Sequence, residues 1–269
     1  PVFQLVLSAS LVDDWTQSGA GLTARDLAMN VALPELDGRI LSRAIGFKRA
    51  PQRHALTHAM TTAYDAVPDR AEFAVQLAAA WSRLRKSPAS EKRVALIMAN
   101  YPNRDGRLAN GVGLDTPASV LGTMRAMQDA GYDLGGDDVV GDDLAGNDLA
   151  GIPQDAAALV AHLRAGPTNA GWQGRDCDAA MPLAAYEDAF KRLPASTRDA
   201  IVARWGNPAE DPMWDGAALR LPLRRFGNVV VAIQPARGYN IDPKSTYHSP
   251  DLVPPHNYLA LYFWLRHSF

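Results

Sequence analysis

Two continuous apolar runs, each followed by a long polar segment and then by a helical pattern, stand out along this chain. The runs are RVALIMA (93–99) and NVVVAIQ (228–234). Such runs are typical of strands covered on both faces, usually in a parallel sheet. The helical patterns that follow are DTPASVLGTMRAMQDAG (115–131) and PHNYLALYFWLRHSF (255–269). The pattern therefore predicts an α/β fold with two parallel-type β-loop-α units.

The remaining pattern predicts how the chain is organised around these units. VFQLVL (2–7) favours a strand, residues 22–50 favour loop and strand, and residues 69–86 favour a helix with Asp69 as its N-cap. The polar segment SPASEK follows that helix and indicates a boundary. We therefore predict a partial α/β segment at 1–87 and an α/β domain at 88–269. Three further helical patterns predict a mostly helical insertion at about 132–220.

The two polar segments, 100–114 and 235–254, are longer than a turn between a strand and a helix requires. Such connections usually take ~2–6 residues. In open parallel sheets, ligands bind outside the carboxyl ends of the strands. If the two strands are neighbours, the polar segments leave the same edge, and we expect them to form two walls of one cleft.

The second polar segment and the residues after it carry two histidines, His248 and His256, with Asp251 between them. Imidazole binds divalent metals or transfers protons near neutral pH, and this spacing leaves both roles open beside ordinary hydrogen bonding. Guanidinium groups in both segments suit a substrate with several acid groups, unless they pair with nearby aspartates. They belong to Arg104, Arg107 and Arg237.

Composition excludes several classes of protein. Hydrophobic residues make up 47% and charged residues 21%, with a formal net charge of −2, so no global attraction to nucleic acid is expected. The single cysteine, Cys177, fits a reducing, cytoplasmic compartment, and no apolar run is long enough to span a membrane. A first residue other than methionine suggests part of a longer chain.

Three familiar cofactor-binding patterns are incomplete or absent in this sequence. GVGLDT (111–116) approaches a dinucleotide fingerprint, but its glycines do not follow the strand directly. The acidic stretch 135–148 lacks the alternating ligands and the closing glutamate of a calcium loop. The sequence has no phosphate loop, so we expect any ATP to be bound by another chain.

Long motifs then identify a resemblance. VALIMANYPNRDGRLANGVGLDTPAS and GNVVVAIQPARGYNIDPKSTYHSPDLVPPHNYLALYFWLR closely resemble the family of the large subunits of aerobic cobaltochelatase and magnesium chelatase. The resemblance extends over nearly the whole chain, and NYPNRDGR, QPARGY and YHSPDLVPPH look like the cobalt branch. It implies ATP-dependent insertion of cobalt(II), as substrate metal, into the tetrapyrrole hydrogenobyrinic acid a,c-diamide, in cobalamin biosynthesis. Separate AAA+-type ATPase subunits would hydrolyse the ATP.

The resemblance also suggests roles for residues of this chain, which we state as hypotheses. His256 or His248 would carry the metal or accept a proton, oriented by Asp115 or Asp251. The other expected substrate-binding residues lie at the strand ends and in the polar segments: Asn100, Tyr101, Asn103, Arg104, Arg107, Gln234, Arg237, Tyr239 and Tyr247.

One departure from the family pattern limits this expectation. Family members continue into a segment of the form His-Gly-x-Leu-Glu-x-x-Pro-Gly-Lys, and this sequence stops before it. We therefore expect a fragment of a larger multidomain subunit that does not chelate metal alone. The magnesium branch and a non-catalytic module that binds tetrapyrrole or a partner are the alternatives. The α/β pattern alone also leaves a nucleotide-dependent oxidoreductase open.

Overall fold

The structure is a computed structural model that describes residues 1–100, 108–109, 111, 113–135, 151–239 and 251–269. The chain divides into two compact units, Pro1–Ser87 and Pro88–Phe269. The predicted assignment of these stretches to separate domains stays a prediction. Within the described ranges, every helix falls short of the length and apolar character needed to cross a membrane.

The first unit is a small mixed sheet with helices. Its elements in chain order are β1 (Phe3–Ser8), α1 (Val12–Gln17), α2 (Ala24–Leu27), a π-helical turn (Ala28–Ala32), α3 (Leu33–Leu36), β2 (Ile40–Lys48), β3 (Gln52–Arg53), β4 (Met60–Thr61), β5 (Tyr64–Ala66) and α4 (Pro68–Lys86). β1 pairs in parallel with β2, and β2 pairs antiparallel with β5. The core is small, with Val6, Ala44 and Phe47 at its centre.

Two local predictions for this unit were wrong. The stretch predicted as loop and strand begins with helix, because the Thr23 side chain accepts a hydrogen bond from the Asp26 amide and caps α2. The N-cap of α4 is Val67 rather than Asp69. Pro68 takes the first helical position, where its fixed φ and missing N–H cost nothing, and this moves Asp69 into the first turn.

The second unit contains both predicted β-loop-α units. Its elements are β6 (Val94–Met98), α5 (Thr116–Asp129), α6 (Ala156–Ala165), β7 (Ala180–Pro182), α7 (Leu183–Phe190), α8 (Ala195–Trp205), β8 (Ala218–Arg220), β9 (Leu223–Phe226), β10 (Val229–Ile233) and α9 (His256–His267), with 3-10 turns at Ala89–Glu91 and Pro208–Glu210. The helices predicted in the insertion are confirmed as α6, α7 and α8. The antiparallel pair β7–β8 was not predicted, because strands this short leave no periodic signal.

The central sheet has the order β6-β10-β9. β10 pairs in parallel with β6, from Val229 opposite Val94 to Ile233 opposite Met98. The two strands are therefore neighbours, as the expected cleft requires, and their carboxyl ends lie at one edge. β9 adds an antiparallel strand on the other side of β10, so the sheet is mixed.

β10 is the centre of the second unit because both of its faces are covered. All five of its residues are buried, as its continuous apolar run predicted. Val229, Val231 and Ile233 pack into a cluster with residues of α5 and α6, while Val230 and Ala232 pack into one with residues of α7 and α9. Each fully buried Val or Ile stabilises the fold by roughly 1.5–3 kcal/mol, so this strand fixes the edge from which the polar segments leave.

Gly227 begins the two-residue turn between β9 and β10. Its φ of +53° in the first turn position is typical of a type II′ hairpin turn. A Cβ at this position would clash with the Gly135 backbone nitrogen. Glycine is therefore required here both by the backbone conformation and by the close approach of a neighbouring segment.

Candidate functional site

The carboxyl ends of β6 and β10 carry buried polar atoms that make no hydrogen bond within the described residues. The backbone N–H of Gln234 donates to the Met98 carbonyl at 2.8 Å, so the two chain segments are still paired just beyond β10. Asn100, two residues past β6, is 4% exposed. Both polar atoms of its side chain, and Nε2 of Gln234, are buried without a hydrogen-bond partner in the part of the chain that the structure describes. Buried polar groups in proteins are nearly always paired, so this edge is suited to bind a polar ligand.

Asn169 brings a third segment to this edge. Its Nδ2 donates to the Gln234 carbonyl at 2.9 Å, and its Oδ1 accepts from the Ala236 amide at 3.0 Å. The side-chain amide thus pairs with the chain beyond β10 as a neighbouring strand would. Its loop is closed by reciprocal backbone hydrogen bonds of 3.0 Å between Thr168 and Gly171. Asn169 was not predicted from the sequence. The Gly, Pro and Asn residues of GPTNAG indicated a turn at this position.

A cavity of about 130 Å³ opens beside this loop. Its lining residues come from the loop, the Asp211 region, the chain after β10 and the start of α9: Asn169, Ala170, Gly171, Gln173, Pro212, Met213, Tyr239 and Asn257. Since one liquid water takes up about 30 Å³, this space suits a small polar group rather than a whole macrocycle.

Asp211 links the chain after β10 to the start of α9. It is 6% exposed, and its carboxylate accepts from the backbone N–H groups of Met213 at 2.9 Å and Asn257 at 3.0 Å. The Tyr239 hydroxyl lies 3.3 Å from both carboxylate oxygens. Burial raises the pKa of Asp211 above its ordinary value, and these hydrogen bonds offset part of that rise. Sequence analysis did not single out Asp211, although its stretch, RWGNPAEDP, shares the family resemblance.

His256 is fully buried, and both of its ring nitrogens are hydrogen bonded. Nε2 lies 2.9 Å from the Gly206 carbonyl, and Nδ1 lies 2.7 Å from the Tyr186 hydroxyl. Because a carbonyl only accepts, Nε2 carries the proton, and in the neutral ring Nδ1 accepts from Tyr186. These bonds connect the start of α9 to α7 and to the end of α8. Burial also raises the pKa of Tyr186 strongly, so its hydroxyl stays protonated as the donor.

The metal-binding role of His256 stays a prediction, since a metal ion would have to replace one of these hydrogen bonds. The described ranges contain no group of three or more His, Cys, Asp or Glu residues placed to hold a metal ion. The sequence prediction gave the orienting role to Asp115 or Asp251, whereas in the structure Tyr186 and Gly206 hold the ring.

The other predicted residues are distributed around the second unit. Asp115 is exposed and caps α5, its Oδ1 accepting from the Ala118 amide at 3.0 Å. Arg237 and Tyr239 are half-buried after β10, and Asp251 is exposed. The remaining six lie outside the described residues: Tyr101, Asn103, Arg104, Arg107, Tyr247 and His248.

Comparison with known proteins matches this fold and these motifs to one family. The family model described as CobN/Magnesium Chelatase matches residues 1–269. The chain is 48% identical over its full length to the aerobic cobaltochelatase subunit CobN of Sinorhizobium sp. It is 28% identical, over 98% of its length, to a magnesium-chelatase subunit of Rhodobacter capsulatus.

A solved structure of a cobaltochelatase subunit is also similar to this chain. The catalytic subunit of cobaltochelatase from Mycobacterium tuberculosis matches 98% of the chain with a TM-score of 0.77 and 33% identity. The chain spans 20% of the length of that protein and of the Sinorhizobium relative, and 21% of the Rhodobacter one. On the match of the family model to the whole chain, the chain belongs to the CobN/magnesium chelatase family of metal chelatases.

Proposed function

We propose that this chain forms part of the tetrapyrrole- and metal-binding large subunit of a cobaltochelatase. The complete enzyme inserts cobalt(II) into hydrogenobyrinic acid a,c-diamide, and separate AAA+-type subunits hydrolyse ATP. One observation carries the proposal: β6 and β10 pair in parallel, so both family-specific polar segments leave the same edge of one sheet. Ligands bind at this edge in open α/β folds.

The choice of cobalt over magnesium is supported by the relatives. Identity to the cobaltochelatase subunit is 48%, against 28% to the magnesium-chelatase subunit, over nearly the same residues. The cobalt-type form NYPNRDGR lies in the first polar segment, and YHSPDLVPPH runs from the second one to the start of α9. Differences in ring and metal between the branches are therefore expected to depend on these segments.

The chemistry assigns a task to each group. Insertion requires that the ring be held by its polar periphery, that protons leave the ring nitrogens, and that the cation lose water. Arg104, Arg107 and Arg237 bind peripheral carboxylates, for which guanidinium groups are suited. His248 binds cobalt or accepts a ring proton. His256, with both ring nitrogens bonded, holds α9 in place beside the site unless substrate binding releases one of them.

Reconstitution tests the proposal. The intact large subunit, its ATPase subunits and ATP are supplied with cobalt(II) and hydrogenobyrinic acid a,c-diamide, or with magnesium(II) and protoporphyrin IX, and insertion is followed by absorbance. We expect cobalt insertion alone. Magnesium insertion alone would assign the other branch, and ring binding without insertion of either metal would leave a non-catalytic binding module.

A matched pair of histidine substitutions tests the role of His248. We expect His248→Ala to lower the rate of cobalt insertion by about 100-fold, the usual range for loss of a proton-transfer group. His267→Ala, at an exposed position near the end of α9, serves as control and should leave the rate unchanged. Equal rates in the two variants would remove His248 from the mechanism.

A further inference from the structure

Asn100 is a buried side chain whose polar atoms make no hydrogen bond to the residues that the structure describes. It is 4% exposed, and neither its Oδ1 nor its Nδ2 has a partner within the described ranges. Leaving such groups unpaired in a folded protein is unfavourable, because they lose their hydrogen bonds to water without replacement. Because Asn100 lies at the carboxyl edge of the parallel pair, a bound ligand is the expected partner.

The unused groups of Asn100 define the chemistry of that partner. The side chain offers one acceptor oxygen and one donor NH₂ group, and its complement must offer a donor and an acceptor together. A primary carboxamide does so, through its own NH₂ and C=O. A carboxylate only accepts, so it would leave Oδ1 of Asn100 facing another oxygen. The required complement is the same for either orientation of the Asn100 amide, since neither of its polar atoms has a partner among the described residues.

Gln234 adds a second polar group at the end of the neighbouring strand. Its Oε1 accepts from the Tyr262 hydroxyl at 2.8 Å, while Nε2 is buried and unpartnered among the described residues. The register of Ile233 opposite Met98 places the ends of the two strands side by side. Asn100 and Gln234 therefore give this edge donors and an acceptor without formal charge.

We propose that Asn100, assisted by Gln234, determines specificity by binding a primary carboxamide on the periphery of the tetrapyrrole. The inference rests on the proposed function and deepens it. The amidated macrocycle is selected over the corresponding free acid by groups at the strand ends, while the guanidinium groups bind carboxylates elsewhere on the ring.

Binding to two macrocycles tests this role. The intact large subunit is titrated by absorbance with hydrogenobyrinic acid a,c-diamide and with hydrogenobyrinic acid, in which carboxylates replace the two amides. Wild type should bind the diamide more tightly than the acid. Asn100→Leu, which removes donor and acceptor at similar shape, should lower this preference by about tenfold or more.

Stability distinguishes recognition from a structural role. Replacing an unpaired buried amide by an apolar group of similar shape is nearly neutral or stabilising, so we expect Asn100→Leu to keep or raise the Tm. Asn228→Leu serves as control, because it lies before β10 at the opposite edge and its Nδ2 donates to the Ser90 carbonyl at 2.9 Å. This control should lower the Tm and leave the preference for the diamide unchanged.

The outcomes separate this inference from the proposed function. Wild type that binds neither macrocycle contradicts the proposed function. Wild type that binds both equally, or an Asn100→Leu variant that keeps the wild-type preference, overturns the carboxamide role alone. If Asn100→Leu fails to fold, a structural role for Asn100 gains support. The carboxamide role is then tested with Asn100→Ser, by the same ratio of the dissociation constants for the two macrocycles.

Discussion

From the sequence, His256 was a candidate for metal binding or for proton transfer. In the fold it has one defined set of hydrogen bonds. Its ring is held between the Tyr186 hydroxyl and the Gly206 carbonyl. Tyr186 is far from His256 in sequence, so no local sequence pattern predicts the hydrogen bond between them. Asp211 and Asn169 were missed for the same reason, since Asp211 contacts the distant Asn257 and Tyr239, and Asn169 contacts the chain after β10. The Asp115 cap was predictable because its partner is three residues away.

Removing the Tyr186 hydroxyl leaves Nδ1 of His256 without its donor. We expect Tyr186→Phe to lower the free energy of unfolding by about 1–3 kcal/mol, measured by urea denaturation of the 269-residue chain. Tyr132→Phe is the matched control, because its ring contacts Lys92 and its hydroxyl has no hydrogen bond to a described residue. Equal losses in the two variants would mean that the Tyr186–His256 bond contributes nothing specific.

Asp211 gives a pH dependence whose sign follows from its burial. Because the folded chain raises the pKa of Asp211, it holds this proton more tightly than the unfolded chain does. The stability contributed by protonation is complete below the unfolded pKa of ~3.9 and is lost as the pH rises through the folded pKa. In urea unfolding from pH 4 to pH 8, the free energy of wild type relative to Asp211→Asn should therefore fall with rising pH and then level off.

The control for Asp211 is Asp199→Asn, at an exposed position on α8. Its curve should run parallel to that of wild type over the same pH range. A wild-type curve that also runs parallel to that of Asp211→Asn would show that burial does not affect the ionisation of Asp211.

At the scale of elements, apolar periodicity predicted the long and well-separated pieces. β6, β10, α5 and α9 all formed where continuous or helical patterns indicated them. β9 was missed because LRRF carries two arginines, and one of them, Arg224, is buried against Asp178 at 2.6 Å. A charged residue inside a core strand reverses the usual pattern, and only its distant partner explains it.

The β9–β10 turn gives a prediction at this scale. Gly227→Ala must adopt a φ of +53° and place its Cβ against backbone atoms of Leu134 and Gly135 and against Oδ1 of Asp133. Gly174→Ala is the control, with a φ of +68° and nothing within 4 Å of the added Cβ. We expect the control to lose ~1–2 kcal/mol of unfolding free energy and Gly227→Ala to lose clearly more, by urea denaturation. Equal losses would contradict the close approach.

At the scale of the molecule, the two units differ in how much apolar surface they bury. The first has a core centred on three residues, whereas the second has two large clusters on either face of one sheet. The α/β class was predictable from strand and helix patterns. The small core was not, because apolar residues such as Leu36 and Leu56, 85% and 88% exposed, look like core residues in the sequence.

Hydrogen exchange should reproduce this difference. Amides of β10, whose five residues are all buried, are expected to exchange most slowly, and those of β3 and β4, which are exposed, most quickly. Peptide-level mass spectrometry of the 269-residue chain measures both. Exchange in β1 as slow as in β10 would contradict the assignment of the larger core to the second unit.

The parallel partnership of β6 and β10 has a consequence for biosynthesis. The ribosome completes β6 early, yet its neighbour emerges only after all of residues 99–228 have been made. Until then β6 lacks its parallel partner and offers that side of its backbone to other nascent chains. Closing so long a loop is slow, whereas the β9–β10 hairpin forms from adjacent residues. The ligand edge is therefore expected to assemble last, when the β9–β10 hairpin, already formed, pairs with β6.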